Sequence, residues 1–252
     1  MKDLFNQVAS NALYVVSFVL IIAGLFVFAV IAEKVIQKKN GMTDKTSAAR
    51  RAACIGLLSA LSAILMLFEI PMPFAPTFYK LDMSELPVLI GAYAFGPAAG
   101  IMIEFIKIVL KLFMKGTSTA FVGELANFTV GASFILPASI IYYAKKTKRM
   151  ATISCIVGTV CITIFGTVFN AVYLLPAFAK LYGIPLEVIY AMGTEVNPFA
   201  GDNITSFVVA CVAPLNLIKG LLNSTLTLLV YKKISPIIKG VDAGTSAAPK
   251  NA

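Results

Sequence analysis

The sequence has no histidine and no tryptophan, and only 13% of its 252 residues are charged. Without histidine it lacks the commonest zinc ligand and the commonest general base. Without tryptophan, a binding cage built on indole is disfavoured. Charge this sparse lies well below the roughly one quarter typical of soluble domains. The four cysteines, Cys54, Cys155, Cys161 and Cys211, all sit inside apolar runs and form no C-x-x-C pair. They read as small buried hydrophobes. Glu104 and Glu124 are acids available to a membrane enzyme, but no nucleophile–base pair or metal-ligand spacing accompanies them.

What the chain has in place of charge is apolar length, with 59% hydrophobic residues. Uncharged runs occupy 12–32, 52–68, 86–103, 125–144, 151–179 and 203–218. A membrane helix needs roughly 20 such residues, and backbone groups in lipid must be satisfied internally, so helices are expected. The strict alternation of a barrel strand is absent. The net charge of +9 is gathered at 34–51, 145–149 and 232–239. Basic clusters between apolar runs mark cytoplasmic helix ends rather than a nucleic-acid surface. An all-α integral membrane protein, lodged in a lipid bilayer, follows.

In chain order, residues 12–32 are too long for a signal peptide and read as a retained helix ending at Ala32-Glu33-Lys34, with its N-terminus outside. The next helix starts near Ser47 and carries Ala52, Gly56 and Ala60 at four-residue spacing, which suits close helix contact in lipid. Pro71, Pro73 and Pro76 stiffen an external loop bearing Phe78, Tyr79 and Lys80. Its residues fit either a lid over a ligand or an interfacial aromatic belt. Asp82, Ser84 and Glu85 read as helix capping, with Pro87 in the first turn. Phe95-Gly96-Pro97 turns the chain on the cytoplasmic side, making a hairpin.

Glu104, Lys107, Lys111 and Lys115 share one helical stripe. Glu104 with Lys107 and Lys111 with Glu124 are candidate pairs, although snorkelling to the outer surface is the favoured role of Lys111 and Lys115. Gly123 and Glu124 open another helix, with Asn127 one turn deeper. Thr163, Thr167 and Asn170 share a face of the helix at 151–176, and 177–204 reads as a long external excursion. Asn216, Lys219, Asn223 and Thr227 form a polar stripe on the last helix. Lys219 lies thirteen residues before Lys232, roughly 20 Å into a hydrocarbon core of about 30 Å. It must meet an acid, a water-filled cavity or a ligand acceptor, and Glu104 or Glu124 are the acids considered. The residues 241–252 read as a disordered tail.

Five motifs occur in order: Phe78-Tyr79-Lys80-Leu81-Asp82-Met83-Ser84-Glu85-Leu86-Pro87, Phe95-Gly96-Pro97, Gly123-Glu124-Leu125-Ala126-Asn127, Phe169-Asn170 with Leu175-Pro176, and Pro214-Leu215-Asn216-Leu217-Ile218-Lys219-Gly220. Over roughly 48–240 the chain resembles the riboflavin-specific substrate-binding (S) component of energy-coupling-factor (ECF) transporters. The resemblance implies a six-transmembrane-helix bundle over 47–240, to which residues 1–46 add one further N-terminal helix and a basic linker. It implies a non-enzymatic subunit in the bacterial plasma membrane that binds riboflavin from outside. The implied partners are a T component and two ABC ATPases, with no nucleic acid and no cofactor. By the same resemblance, Asn170, Asn216 and Lys219 are ligand residues, Phe78, Tyr79 and Leu81 cover the ring, and Gly123 and Asn127 are further contacts. Ala52, Gly56 and Ala60 would face the T component. An S component for another vitamin, or a standalone carrier, are the alternative readings.

Overall fold

The computed structural model describes residues 12–41, 46–117, 119 and 121–239; the tail expected at 241–252 lies outside them. The chain is helical almost throughout. Helix α1 spans Ala12–Asn40 and α2 Ala48–Leu67. A two-stranded ribbon follows, β1 (Ile70–Pro71) pairing antiparallel with β2 (Lys80–Leu81). Then come α3 (Glu85–Phe95), α4 (Pro97–Lys115) and α5 (Val122–Ala144). Helix α6 (Lys148–Phe169) runs through a π-helical turn, Asn170–Leu174, into α7 (Leu175–Tyr182). Helix α8 covers Leu186–Val196. A short α9 (Ile204–Phe207) passes through a second π turn, Val208–Val212, into α10 (Ala213–Lys239).

Among the described residues, five helical stretches are long and apolar enough to cross a membrane: Val19–Asn40, Ala48–Leu67, Val122–Ala144, Lys148–Tyr182 and Ile204–Ser235. The chain is therefore an all-α, multi-pass membrane protein. Helix α4 is also of near-membrane length, but carries Glu104, Lys107, Lys111 and Lys115.

The hairpin expected at Phe95-Gly96-Pro97 is present. Gly96 has φ 106°, a conformation open chiefly to glycine, and Pro97 starts α4. Gly91 faces Ile103 and Gly100 faces Ala92, so α3 and α4 run antiparallel at close range. Helix α3 has only 11 residues, about 16 Å of rise. Its N-terminal end therefore stops near the middle of the bundle. Below it, α3, α5, α6 and α10 meet around Tyr93, Tyr142 and Tyr231; Tyr93 stacks on Tyr142 at 4.2 Å and its hydroxyl reaches Ser154 Oγ at 2.5 Å.

Helix α1 does not end at Ala32-Glu33-Lys34 but continues to Asn40, because its lower third packs on the bundle. Ile22, Leu25, Phe26 and Ala29 pack with Ile101, Phe128 and Ala132 of α4 and α5. Glu33 is buried; it accepts from the Ala98 N–H at 3.0 Å and pairs with Arg51 at 3.3 Å. A carboxylate is thereby placed on the positive end of α4. Glu33→Ala is expected to lower stability by about 1–2 kcal/mol through the lost cap and pair, read as a lower thermal midpoint in detergent.

The segment 177–204 is not an open excursion. Gly183, at φ 64°, ends α7, and α8 folds back so that Ile189 and Tyr190 join Tyr79, Leu175, Phe207 and Leu215 in one apolar cluster. A helical periodicity split by Gly183 and Pro185 hides this cap from a reading based on run length.

Candidate functional site

The two π turns and the β1–β2 ribbon enclose a chamber of about 590 Å³ at the end of the bundle opposite the basic clusters of 145–149 and 232–233. A π turn adds a residue to the helical repeat and so re-aims the side chains beyond it. Here the first begins at Asn170, and the second stands one turn before Asn216. Both asparagines line the chamber, as do Phe78, Tyr79, Gly123, Asn127 and Lys219. Leu81 does not; it packs behind the wall against the cluster that holds Tyr79.

Each polar wall residue has its own environment. Tyr79 Oη donates to Asn170 Oδ1 at 3.0 Å, and Asn170 Nδ2 donates to the Gly166 carbonyl at 2.7 Å. Asn127 Nδ2 donates to the Gly123 carbonyl at 3.0 Å. Asn216 is different: its Nδ2 is buried and has no protein acceptor. Gly166 leaves the room that this amide occupies, since a Cβ there would sit 2.5 Å from Nδ2. Thr163 and Thr167 donate to carbonyls of their own helix, at 2.7 and 2.6 Å, and are taken up in that way.

Lys219 forms the floor. Its Nζ stands 3.0 Å from Asp82 Oδ2 and 3.5 Å from Glu85 Oε1. The acids are thus not Glu104 or Glu124, the two considered from the sequence. The capping expectation fails for Ser84 and Glu85 and is met by Asp82 through one oxygen only. Ser84 precedes α3 without a side-chain cap bond, while Glu85 points inward to Lys107 at 3.0 Å. Asp82 Oδ1 accepts the Ser84 N–H at 2.9 Å, leaving its other oxygen for Lys219. Lysines buried at mid-depth supplied a stronger demand for these carboxylates than a helix end did. Lys107 pairs with Glu104 at 2.7 Å, the pairing expected on the α4 stripe.

The mouth carries a second set of charges. Lys111 pairs with Glu124 at 3.1 Å, and Thr117 and Thr119 donate to the other oxygen of that carboxylate. Lys115 and Lys80 both reach Glu69 Oε1, at 2.5 and 2.9 Å. Lys111 thus makes the pairing with Glu124 that the sequence offered as a candidate, and Lys115 stays half exposed at the outer end, where snorkelling would bring it, with Glu69 beside it. Phe121, at φ 70°, is a left-handed non-glycine residue directly before α5, held by its N–H bond to Thr117 Oγ1 at 3.1 Å.

Glu69 lies outside the membrane helices. Burial opposes its ionisation, but the Lys115 and Lys80 ammonium groups outweigh that and hold its carboxyl below its ordinary 4.5. The latch is thus at full strength above the unfolded value and is lost as pH falls through the lowered one. Acidification below about 4.5 is expected to lower the protection factors of amides in the β1–β2 ribbon, each rate taken relative to its intrinsic value at that pH, starting at the Met72 N–H bonded to the Tyr79 carbonyl. Glu69→Gln should show low protection at every pH.

Membrane-length helices around a solute-sized chamber, with largely apolar walls and a few polar groups, define a multi-pass membrane protein built to hold a small molecule. The sequence matches the family described as "ECF transporter, substrate-specific component" over residues 50–231. It is 31% identical over 191 residues to the "Riboflavin transporter FmnP" of Bacillus subtilis (strain 168), covering 75% of this chain and 94% of that one. It is 33% identical over 193 residues to the "Riboflavin transporter RibU" of Staphylococcus aureus (strain TCH60), covering 76% and 94%. A solved structure described as "Structure and mechanism of the S component of a bacterial ECF transporter" superposes with a TM-score of 0.59 at 29% identity, over 77% of this chain and 99% of that one. The chain belongs to the substrate-specific components of ECF transporters.

Proposed function

We propose that this chain captures riboflavin in the chamber and delivers it inward as the S component of an ECF transporter. The observation that carries the reading is the buried Asn216 amide, which has no protein acceptor and lies in the same wall as Lys219. A buried hydrogen-bond donor left without an acceptor is stabilised by a ligand that accepts. Riboflavin is neutral and has a flat ring with a carbonyl edge. Lys219 and Asn216 would donate to that edge, and Asn170 and Asn127 are placed for the ribityl hydroxyls. Phe78 and Tyr79, with ring centroids 4.8 Å apart, would cover the ring from the ribbon, with Gly123 at the rim. Leu81 acts only by holding Tyr79 in place. Two relatives, both named as riboflavin transporters, support the choice of vitamin.

In this reading residues 47–240 form the six-helix vitamin-binding unit, with α2, α3–α4, α5, α6 and α10 as its frame and α1 as an added seventh. The subunit would sit in the bacterial plasma membrane and couple to a T component and two ABC ATPases. Ala52, Gly56 and Ala60 support a contact there: all are exposed on α2, and nothing stands within 4 Å of a Cβ placed on Gly56. No step of bond making or breaking is assigned to the chain.

Titration of the purified protein with riboflavin tests the proposal. Stoichiometric quenching of flavin fluorescence, one ligand per chain, is expected. Absence of quenching at micromolar riboflavin would overturn it.

A further inference from the structure

Beneath the chamber lies a set of five ionisable groups that ligand binding alone does not explain. Asp82 comes from the loop after β2, Glu85 from α3, Glu104 and Lys107 from α4, and Lys219 from α10. All five are buried, Glu104 and Lys107 completely. The other walls add no charge: α2 contributes Ser62, whose hydroxyl donates to the Ser84 carbonyl, and α5 contributes Gly131. Fully ionised, the set would hold three negative charges against two positive. A lone uncompensated charge in a dry interior is costly, and such a site takes up or releases a proton instead.

The geometry locates the excess. Lys219 pairs with Asp82 at 3.0 Å and more loosely with Glu85 at 3.5 Å, and Lys107 lies between Glu85 and Glu104 at 3.0 and 2.7 Å, so Glu104 has only the shared Lys107. Glu85 and Glu104 thus flank the same ammonium from two neighbouring helices. Glu85 Oε2 and Glu104 Oε1 are both buried without any hydrogen-bond partner. Carboxylate oxygens only accept, so buried ones with no donor beside them are relieved when one of them carries a proton. Gly131 makes the approach possible, because a Cβ there would stand 2.9 Å from Glu104 Cδ and 3.1 Å from Glu85 Oε1.

We propose that Glu85 and Glu104 form a buried proton-binding site, one proton shared between two carboxyls under the chamber floor. The proton adds to one carboxylate, and its O–H donates to the facing oxygen of the other. The five groups then sum to zero, two negative charges against two positive. This assignment does not depend on which solute the chamber holds.

Infrared spectroscopy of the ligand-free full chain, in an ester-free detergent, reads the site directly. At a pH far above the ordinary carboxyl range of about 4, one protonated-carboxyl C=O band should persist and shift on incorporation of carbon-13 glutamate. Glu104→Gln, which mimics the protonated acid, should remove the band and leave the thermal midpoint unchanged or higher. A wild-type spectrum without the band would overturn the proposal. So would a band that survives unshifted by the label, or one retained in folded Glu104→Gln. If that variant does not fold, the labelled wild-type spectrum alone decides.

Discussion

Lys219→Ala should lower riboflavin affinity about 10- to 150-fold and also destabilise the empty protein. Two effects combine. The ligand loses a charged donor, and a hydrogen bond to a charged group contributes about 1.5–3 kcal/mol. In addition, Asp82 and Glu85 lose the ammonium that stands 3.0 and 3.5 Å away. Breaking a buried pair by removing one partner costs about 3–5 kcal/mol, because the other charge stays behind. The double variant Asp82→Asn/Lys219→Ala separates the two: it should recover most of the thermal stability and little of the affinity. Denaturation and fluorescence titration on the same three proteins provide the check. Equal affinity in wild type and Lys219→Ala would remove Lys219 from the pocket.

Asn216→Ala should weaken riboflavin binding about 10- to 100-fold, the consequence of losing one or two buried hydrogen bonds at about 1–2 kcal/mol each. The empty protein should unfold at the same temperature or slightly higher. The Nδ2 group has no protein acceptor to lose, and removing it relieves a buried polar atom. Asn170→Ala makes the contrast. Its side chain accepts from Tyr79 and donates to Gly166, so both stability and affinity should fall. A lower midpoint for Asn216→Ala with intact affinity would mean that the amide serves the fold and not a ligand.

The spans of this membrane protein were legible because apolar run length is nearly a direct readout of bilayer thickness. The Gly96 hairpin and the Glu104–Lys107 pair were legible because local spacing fixes them. The partners of Lys219 were not. Asp82 lies 137 residues away in sequence, and a D-x-x-E pattern before a helix has a common local explanation that conceals an inward-facing acid. The inward course of α8 was also hidden, since Leu186 to Val196 is too short to register as a span. Glu33 read as the end of an apolar run, although it is the group that fastens α1 to the start of α4. For the site itself, the sequence placed Asn170, Asn216 and Lys219 on inward stripes, and the structure puts them around one chamber. Nothing in the spacing showed that Leu81 stands behind the wall, whereas the Lys111–Glu124 pair at the mouth was among the pairings that the stripe on α4 offered.

The brevity of α3 fixes the depth of the charged floor. Its 11 residues span about 16 Å, roughly half of the hydrocarbon thickness. Under that floor the bundle is filled, with Tyr93, Tyr142 and Tyr231 packed together edge to face. A solute on the floor would thus rest near mid-membrane with packed protein, and not an open channel, beneath it.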